Sequence, residues 1–302
     1  MSRTDKILPE ETLASGCISC GGCIGRCFLL EAIEGMDPRK MVRLALMGEE
    51  QLIRASDFPW ACTMCLRCTH DCPSGVRMDR VTRALRARMT AEGLAPEELV
   101  KGIESSLEMG NNSRISREDF VDTVEWLSEE LQAETGDQTA ELPLDREGAK
   151  ILFIPNPREI LYLPVLLTAT AKILRAANES WTLSSRTFDI TNWAYYTGEP
   201  VSTLTITERI LDEAHRLGVT TLLSTECGHG FKILRQDARG WFGDRHCYEV
   251  RSLAEMFDDY IEQDRIRLDP NRQPQRVTYH DPCNLGRKVG IIHQPRRVLR
   301  IA

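Results

Sequence analysis

Eight of the chain's eleven cysteines fall into two runs with one spacing, C-x2-C-x2-C-x3-C. The first, CISCGGCIGRC, supplies Cys17, Cys20, Cys23 and Cys27; the second, CTMCLRCTHDC, supplies Cys62, Cys65, Cys68 and Cys72. A [4Fe–4S] cluster is a cube whose four irons each take one thiolate. Three cysteines at this spacing wrap one corner in a tight loop, and the fourth iron lies on the far side. Where two clusters are present, the fourth cysteine of each such run ligates the other cluster. The spacing therefore predicts one cluster on Cys17, Cys20, Cys23 and Cys72, and a second on Cys62, Cys65, Cys68 and Cys27. Clusters tied through shared peptide must lie close together, which makes a path for single electrons.

The residues between the thiols suit that chemistry. Gly16, Gly21, Gly22 and Gly25 let the backbone approach the sulfides and present amides to them. Pro73 follows the eighth cysteine, as is usual for such runs, whereas Phe28 stands where the first run would have its proline. That departure should affect only how the loop leaves its cluster. Zinc is a poorer fit, because it prefers two separated C-x2-C pairs and would leave the third thiol of each run without a role.

The other three cysteines are less easily read. Cys227 lies in TECGHGFK and Cys283 in YHDPCNLGR, with Glu226, His229, His280 and Asp281 on the same two stretches. A cysteine at a strand end is often a small apolar residue and nothing more. Two thiols do not satisfy a four-iron cluster. Either further ligands come from elsewhere, or Cys227 and Cys283 do redox chemistry directly, with His229 or His280 supplying protons. Cys247, in DRHCYEV, is expected inside a strand in a structural role.

Three regions must position these groups. Residues 1–95 read as a helical two-cluster domain. Pro38–Ala55 is expected as a helix with Met41, Leu44, Ala45 and Ile53 inward, and Met78–Met89 as a basic helix with Val81, Leu85 and Met89 on one face. Residues 96–148 read as an acidic linker of two helices, Pro96–Glu108 and Arg117–Ala133, the latter capped by Ser116. Residues 149–302 alternate strand and helix. The expected strands are KILFIP, VTTLLSTEC and QRVTYHDPC, separated by helices over Leu163–Ala177, Ile206–Leu217 and Leu253–Gln263. Alternation of this kind argues for a parallel α/β sheet, with Cys227 and Cys283 just past strand carboxyl ends, where open sheets place ligands.

Composition bounds the rest. Over 302 residues, 42% are hydrophobic and 27% charged, ordinary values for a globular protein. A net charge of −7 argues against nucleic acid as a partner. The stretch Ile160–Leu174 is interrupted by Pro164 and Lys172 and is too short to span a bilayer. The N-terminal MSRTDKILPEETLASG has no apolar core, so the chain is expected in the cytoplasm, where disulfides are uncommon. No G-x-G-x-x-G follows a strand, so flavin or nicotinamide would have to sit on a partner.

The doubled cysteine run, WTLSSRTFDITNWAYYTGE, TECGHG and YHDPCNLGR together resemble the iron–sulfur subunits of heterodisulfide-reductase type. Within that family they are nearest the archaeal membrane-linked D-type subunits and their homologues in sulfite-reductase-associated membrane complexes. The iron–sulfur subunits of glycolate oxidase and anaerobic glycerol-3-phosphate dehydrogenase are more distant. The resemblance implies an α+β multidomain chain: a helical two-cluster ferredoxin domain, then a parallel-sheet cysteine-rich domain of two similar halves.

It also implies that Cys227 and Cys283 match two ligands of a third iron–sulfur centre at which a disulfide is reduced. The family's adjacent Cys-Cys-Gly and later C-x2-C do not occur before Ala302, so the second half is expected to be incomplete. In the first half, Asn156 takes the place of an early cysteine and TNWAYYTGE that of a Cys-Cys-Gly.

The function implied is electron transfer between partner subunits and a small-molecule or protein disulfide. Those partners would be membrane quinone-interacting or flavoprotein subunits, holding the chain peripherally at the inner membrane. The alternatives are an electron relay for a flavin-dependent 2-hydroxy-acid or glycerol-3-phosphate dehydrogenase, and a non-enzymatic module with structural clusters.

Overall fold

The structure is a computed structural model that describes residues 8–225, 227–269 and 275–301. The chain divides into two compact units: Met1–Val100 with Trp193–Pro200, and Lys101–Asn192 with Val201–Ala302. No helix among the described residues is long and apolar enough to cross a membrane.

The first unit is built from short helices around the cysteine runs. α1 (Pro38–Met47) begins with Asp37 accepting from the Lys40 amide and Pro38 in the first turn. It stops at Gly48, whose φ of +77° turns the backbone left-handed, and α2 (Glu50–Arg54) follows. The single helix expected over Pro38–Ala55 is therefore two, broken by the residue best able to adopt that conformation. α3 (Phe58–Ala61) and α4 (Arg67–His70) flank the start of the second cysteine run.

α5 (Met78–Ala91) buries Met78, Val81, Leu85 and Met89, the helical stripe its sequence implies. Of these, Met78, Val81 and Leu85 pack with Met36, Met41, Ala45, Ile53 and Phe58, and Cys17, Cys27, Cys62, Cys68 and Cys72 border that core. The thiols thus sit at the edge of an apolar cluster.

The helix α6 (Glu97–Met109) crosses the boundary between the units, and α7 (Arg117–Thr135) follows in the second, capped by Ser116 accepting from the Asp119 amide. This stretch, expected as a linker, contributes Phe120, Val124, Leu127 and Leu131 to one of the unit's two apolar cores. The sheet contains β1 (Ile151–Ile154), β2 (Trp181–Thr182), β3 (Thr221–Ser224) and β4 (Glu249–Ser252) in the order β2-β1-β3-β4, every pair parallel. Alternation along β1 divides the cores: Ile151 and Phe153 enter one, Leu152 and Ile154 the other.

α8 (Pro157–Tyr162) and α9 (Val165–Ala176) lead from β1 to β2. After β2, the short helix α10 (Trp193–Thr197) belongs to the first unit. α11 (Pro200–Leu217) then precedes β3, and α12 (Gly228–Lys232) follows it, continuing through a π-helical turn into α13 (Ala238–Phe242). α14 (Leu253–Glu262) follows β4, and α15 (His293–Ile301) ends the described chain.

Two expectations fail here. QRVTYHDPC is not a strand: it pairs with none among the described residues, and Val277 is 68% exposed. An alternating pattern without a neighbour to complete its ladder has nothing to hold it extended. Cys247 lies just before β4, exposed, and not within a strand. It has no buried structural role.

Candidate iron–sulfur and thiol sites

The two cysteine runs adopt one backbone path. Counting from the first cysteine of each, the third residue is left-handed in both (Ser19, φ 58°; Met64, φ 51°), and so is the fifth (Gly21, φ 82°; Leu66, φ 66°). The hydrogen bonds repeat in step. Ile24 N–H donates to the Gly21 carbonyl at 2.9 Å, as Thr69 does to Leu66 at 3.0 Å. Cys27 donates to Ile24 at 3.0 Å, as Cys72 does to Thr69 at 3.2 Å. The turn after the fourth cysteine also matches, Leu30 N–H to Cys27 and Gly75 N–H to Cys72, so Phe28 in place of proline leaves that turn intact. Alternating right- and left-handed residues gather amides into a concavity suited to anionic groups. Holding non-glycine residues left-handed costs of order 1 kcal/mol each. That strain at Ser19, Met64 and Leu66 marks a loop shaped for a ligand.

The thiols sort into two cavities. One is lined by Cys17, Cys20, Cys23, Cys68 and Cys72. The other is lined by Cys27, Cys62, Cys65 and Cys68. Around each, three thiols of one run meet the last thiol of the other, and Cys68 borders both. An Arg26–Asp71 ion pair at 2.7 Å ties the two runs together just before their fourth cysteines. All eleven cysteines are free of disulfides. Among the described residues, no three of His, Cys, Asp or Glu converge as ligands of a single metal ion. Thiols spread around a cavity suit a multi-iron cube, which takes each thiolate on a separate iron.

The electrostatics of the thiols follow from burial. Cys23 is pushed up to about 11, first by burial and then by repulsion from Asp37, Cys17 and Cys72. Cys68 is pushed up to about 12, again first by burial, then by Cys62, Cys65 and Cys23. Burial raises Cys62 too, against the Thr82 hydroxyl, the Met64 amide and the Arg86 charge. Thr82 Oγ1 donates to Cys62 Sγ at 3.4 Å, and the Val76 amide to Cys72 Sγ at 3.3 Å. Grouped, desolvated thiols ionise only with a compensating cation, which iron would supply. The donor set therefore fits the cluster.

Cys227 is buried at the start of α12, beyond the carboxyl end of β3. Its Sγ is 3.5 Å from His229 Nδ1 and 3.8 Å from Thr191 Oγ1, and Asn156 Nδ2 donates to Thr191 Oγ1 at 3.4 Å. Burial, with Asp189 adding to it, pushes the Cys227 thiol up to about 12 against the Gly230 amide. It is therefore a protonated thiol at neutral pH, unsuited to act alone as a nucleophile. Burial, with Lys288 and Arg158, lowers His229 to about 4, so the ring is neutral.

The Cys283 loop runs beside the Cys227 loop. A methyl group placed on Gly228 would lie 3.1 Å from Asn284 Cβ and 3.5 Å from Leu285 N. A π-helical turn occurs in each, at Cys283–Lys288 and at Ile233–Asp237, a feature common at functional sites. Among the described residues no hydrogen bond joins His280 to Cys227 or Cys283, while Asp281 pairs with Arg296 at 2.5 Å. Glu226 lies outside the described residues.

Sequence reading missed Thr191, Asp189, Thr82 and Arg86.

Residues 13–76 match the 4Fe-4S dicluster domain family. The chain is 24% identical to the Hdr-like menaquinol oxidoreductase iron-sulfur subunit 2 of Archaeoglobus fulgidus, over 94% of this chain and 62% of that protein. It is 25% identical to the Hdr-like menaquinol oxidoreductase iron-sulfur subunit of Archaeoglobus profundus, over 79% of this chain and 49% of the relative. Against the D-type chain of the dihydromethanophenazine:CoB–CoM heterodisulfide reductase of Methanosarcina mazei the identity is 23%, over 94% of this chain and 71% of the relative. The chain is thus similar to heterodisulfide-reductase-type iron–sulfur subunits. It spans about half to three fifths of the length of the two Archaeoglobus relatives. The dehydrogenase-relay alternative is not favoured by these matches.

Proposed function

We propose that this chain is an electron-transfer subunit of a heterodisulfide-reductase-like redox complex, exchanging single electrons with partner subunits and a thiol/disulfide site around Cys227 and Cys283. The observation that carries the reading is the grouping of thiols, in which three of one cysteine run meet the fourth of the other around each cavity, with Cys68 bordering both. It supports crossed ligation by Cys17, Cys20, Cys23 and Cys72, and by Cys62, Cys65, Cys68 and Cys27. When bound, such clusters supply reversible one-electron transfer.

The protein's own contribution is to hold the thiols in left-handed turns, shield several of them partly from water and aim amides at the sulfurs. At the second site, reducing a disulfide takes two electrons and two protons and yields two thiols. The burial of Cys227 keeps such a thiol protonated, and His229 at 3.5 Å is the group placed to pass a proton. A third iron–sulfur centre on Cys227 and Cys283 would need further ligands. The Archaeoglobus names, which specify menaquinol oxidoreductases, support quinone-linked partners. The two compact units are read as the ferredoxin and cysteine-rich domains.

The test is Cys72→Ala. The parent should carry about eight iron and eight acid-labile sulfide. The variant should lose the EPR signal of the site containing Cys17, Cys20 and Cys23, and about half of the iron. Loss confined to the site containing Cys62 would refute the crossing.

A further inference from the structure

The two thiol cavities differ in one buried charge. Arg86, on α5, is only 6% exposed. Its guanidinium donates to the carbonyls of Pro59 at 2.5 Å, Cys62 at 2.6 Å, Trp60 at 3.3 Å and Tyr196 at 3.1 Å. These are neutral acceptors, and no carboxylate pairs with it among the described residues. A buried cation without a counter-ion is costly, and truncating a partner of such a group usually costs several kcal/mol. Chains keep such a charge where something negative belongs beside it.

The loop that Arg86 clamps carries Cys62, one of the four thiols of the second cavity. The first cavity has no equivalent among the described residues. Arg39 lines it but is partly exposed, and the charge of Asp37 acts against ionisation of Cys23, while Arg26, which lines the second cavity, is spent on Asp71. Solvent screens an exposed cation far more than a buried one.

We propose that Arg86 is the built-in counter-charge of the Cys27, Cys62, Cys65 and Cys68 site, making it the more readily reduced of the two. The inference rests on the two-cluster reading above. A [4Fe–4S] cluster with four thiolates carries a net charge of about −2, and one added electron takes it to about −3. Net charge, hydrogen bonding and exposure set its potential. A fixed positive charge stabilises the more negative state, so the electron settles preferentially at this site. Arg86 is a positioning and tuning residue, since it reaches Cys62 through its carbonyl and its field.

The experiment is an EPR-monitored redox titration of the holoprotein, with iron and sulfide counted in every sample. Fewer than about eight iron in the parent would defeat the two-cluster reading itself. With eight iron present, R86Q should lower the reduced-to-oxidised ratio of the second site at least tenfold at fixed potential, about 59 mV for one electron. The first site should hold its value. Unchanged titration of both sites in an iron-complete R86Q overturns the proposal. If R86Q loses iron, R86K decides, because it keeps the charge and breaks the four-carbonyl clamp. Iron-complete R86K with a potential near the parent's supports the proposal. A second-site potential shifted tenfold, or loss of that site's iron in R86K as well, overturns it and leaves Arg86 a purely structural clamp.

Discussion

A buried carboxyl near Cys227 gives the second unit a measurable acid response. Asp189 is 3% exposed, and its oxygens accept from the Asn112 amide at 2.9 Å and the Thr191 amide at 2.6 Å. Burial dominates these two bonds and raises its pKa from 3.8 to about 6. With the folded value above the unfolded one, the folded state holds its proton while the unfolded chain has released it. The stability from this group is thus full below about pH 4 and is lost as pH rises toward 6 and beyond. The shift corresponds to about 3 kcal/mol. Asp189→Asn loses one amide bond at every pH but removes the slope. Urea titrations should show the parent losing about 2 kcal/mol relative to that variant between pH 4 and pH 7. A pH-independent difference would mean that Asp189 titrates as an ordinary carboxylate.

At the scale of elements, the Cys227 loop depends on one glycine in a way that can be tested. A methyl group at Gly230, in α12, would fall 2.2 Å from the Ile190 carbonyl oxygen and 2.9 Å from Ile190 Cγ1. The oxygen is backbone and cannot swing aside, so α12 or the Asp189–Thr191 stretch must move. Gly230→Ala should destabilise the second unit by about 1–3 kcal/mol, as overpacking does, and separate Cys227 from Thr191. Equal chemical denaturation midpoints for parent and variant would show that the contact is slack. Its sequence, GHGFK, gives no hint of this, because the clash comes from a residue forty positions earlier in the chain. The same limit explains what else stayed hidden. Local signals were legible: the thiol spacing, the α5 stripe, the Ser116 cap and the alternation of strands with helices. Arg86 was not, because an arginine in VTRALRARM reads as part of a solvated basic face until its four carbonyl partners are assembled around it. The strand expected from QRVTYHDPC failed for the opposite reason, since a local pattern lacked the neighbour that would fix it.

Across the whole molecule, the two units rest on different sources of order. The second has a four-stranded parallel sheet with an apolar core on each face, enough buried surface to hold a fold unaided. The first has short helices of four to fourteen residues around one modest core edged by thiols, the size at which metal usually supplies missing stability. Stripping iron by chelation under oxidising conditions should therefore unfold the first unit and spare the second. The tryptophans divide to report this: Trp60 and Trp193 lie in the first unit, and Trp126, Trp181 and Trp241 in the second. Chelation should shift the emission of a variant retaining only Trp60 and Trp193 toward that of exposed indole, with partial loss of helical circular dichroism. A variant retaining only Trp126, Trp181 and Trp241 should keep its emission and unfold later in urea as a separate transition. A single transition that moves all five together on chelation would show instead that the clusters hold up the entire chain.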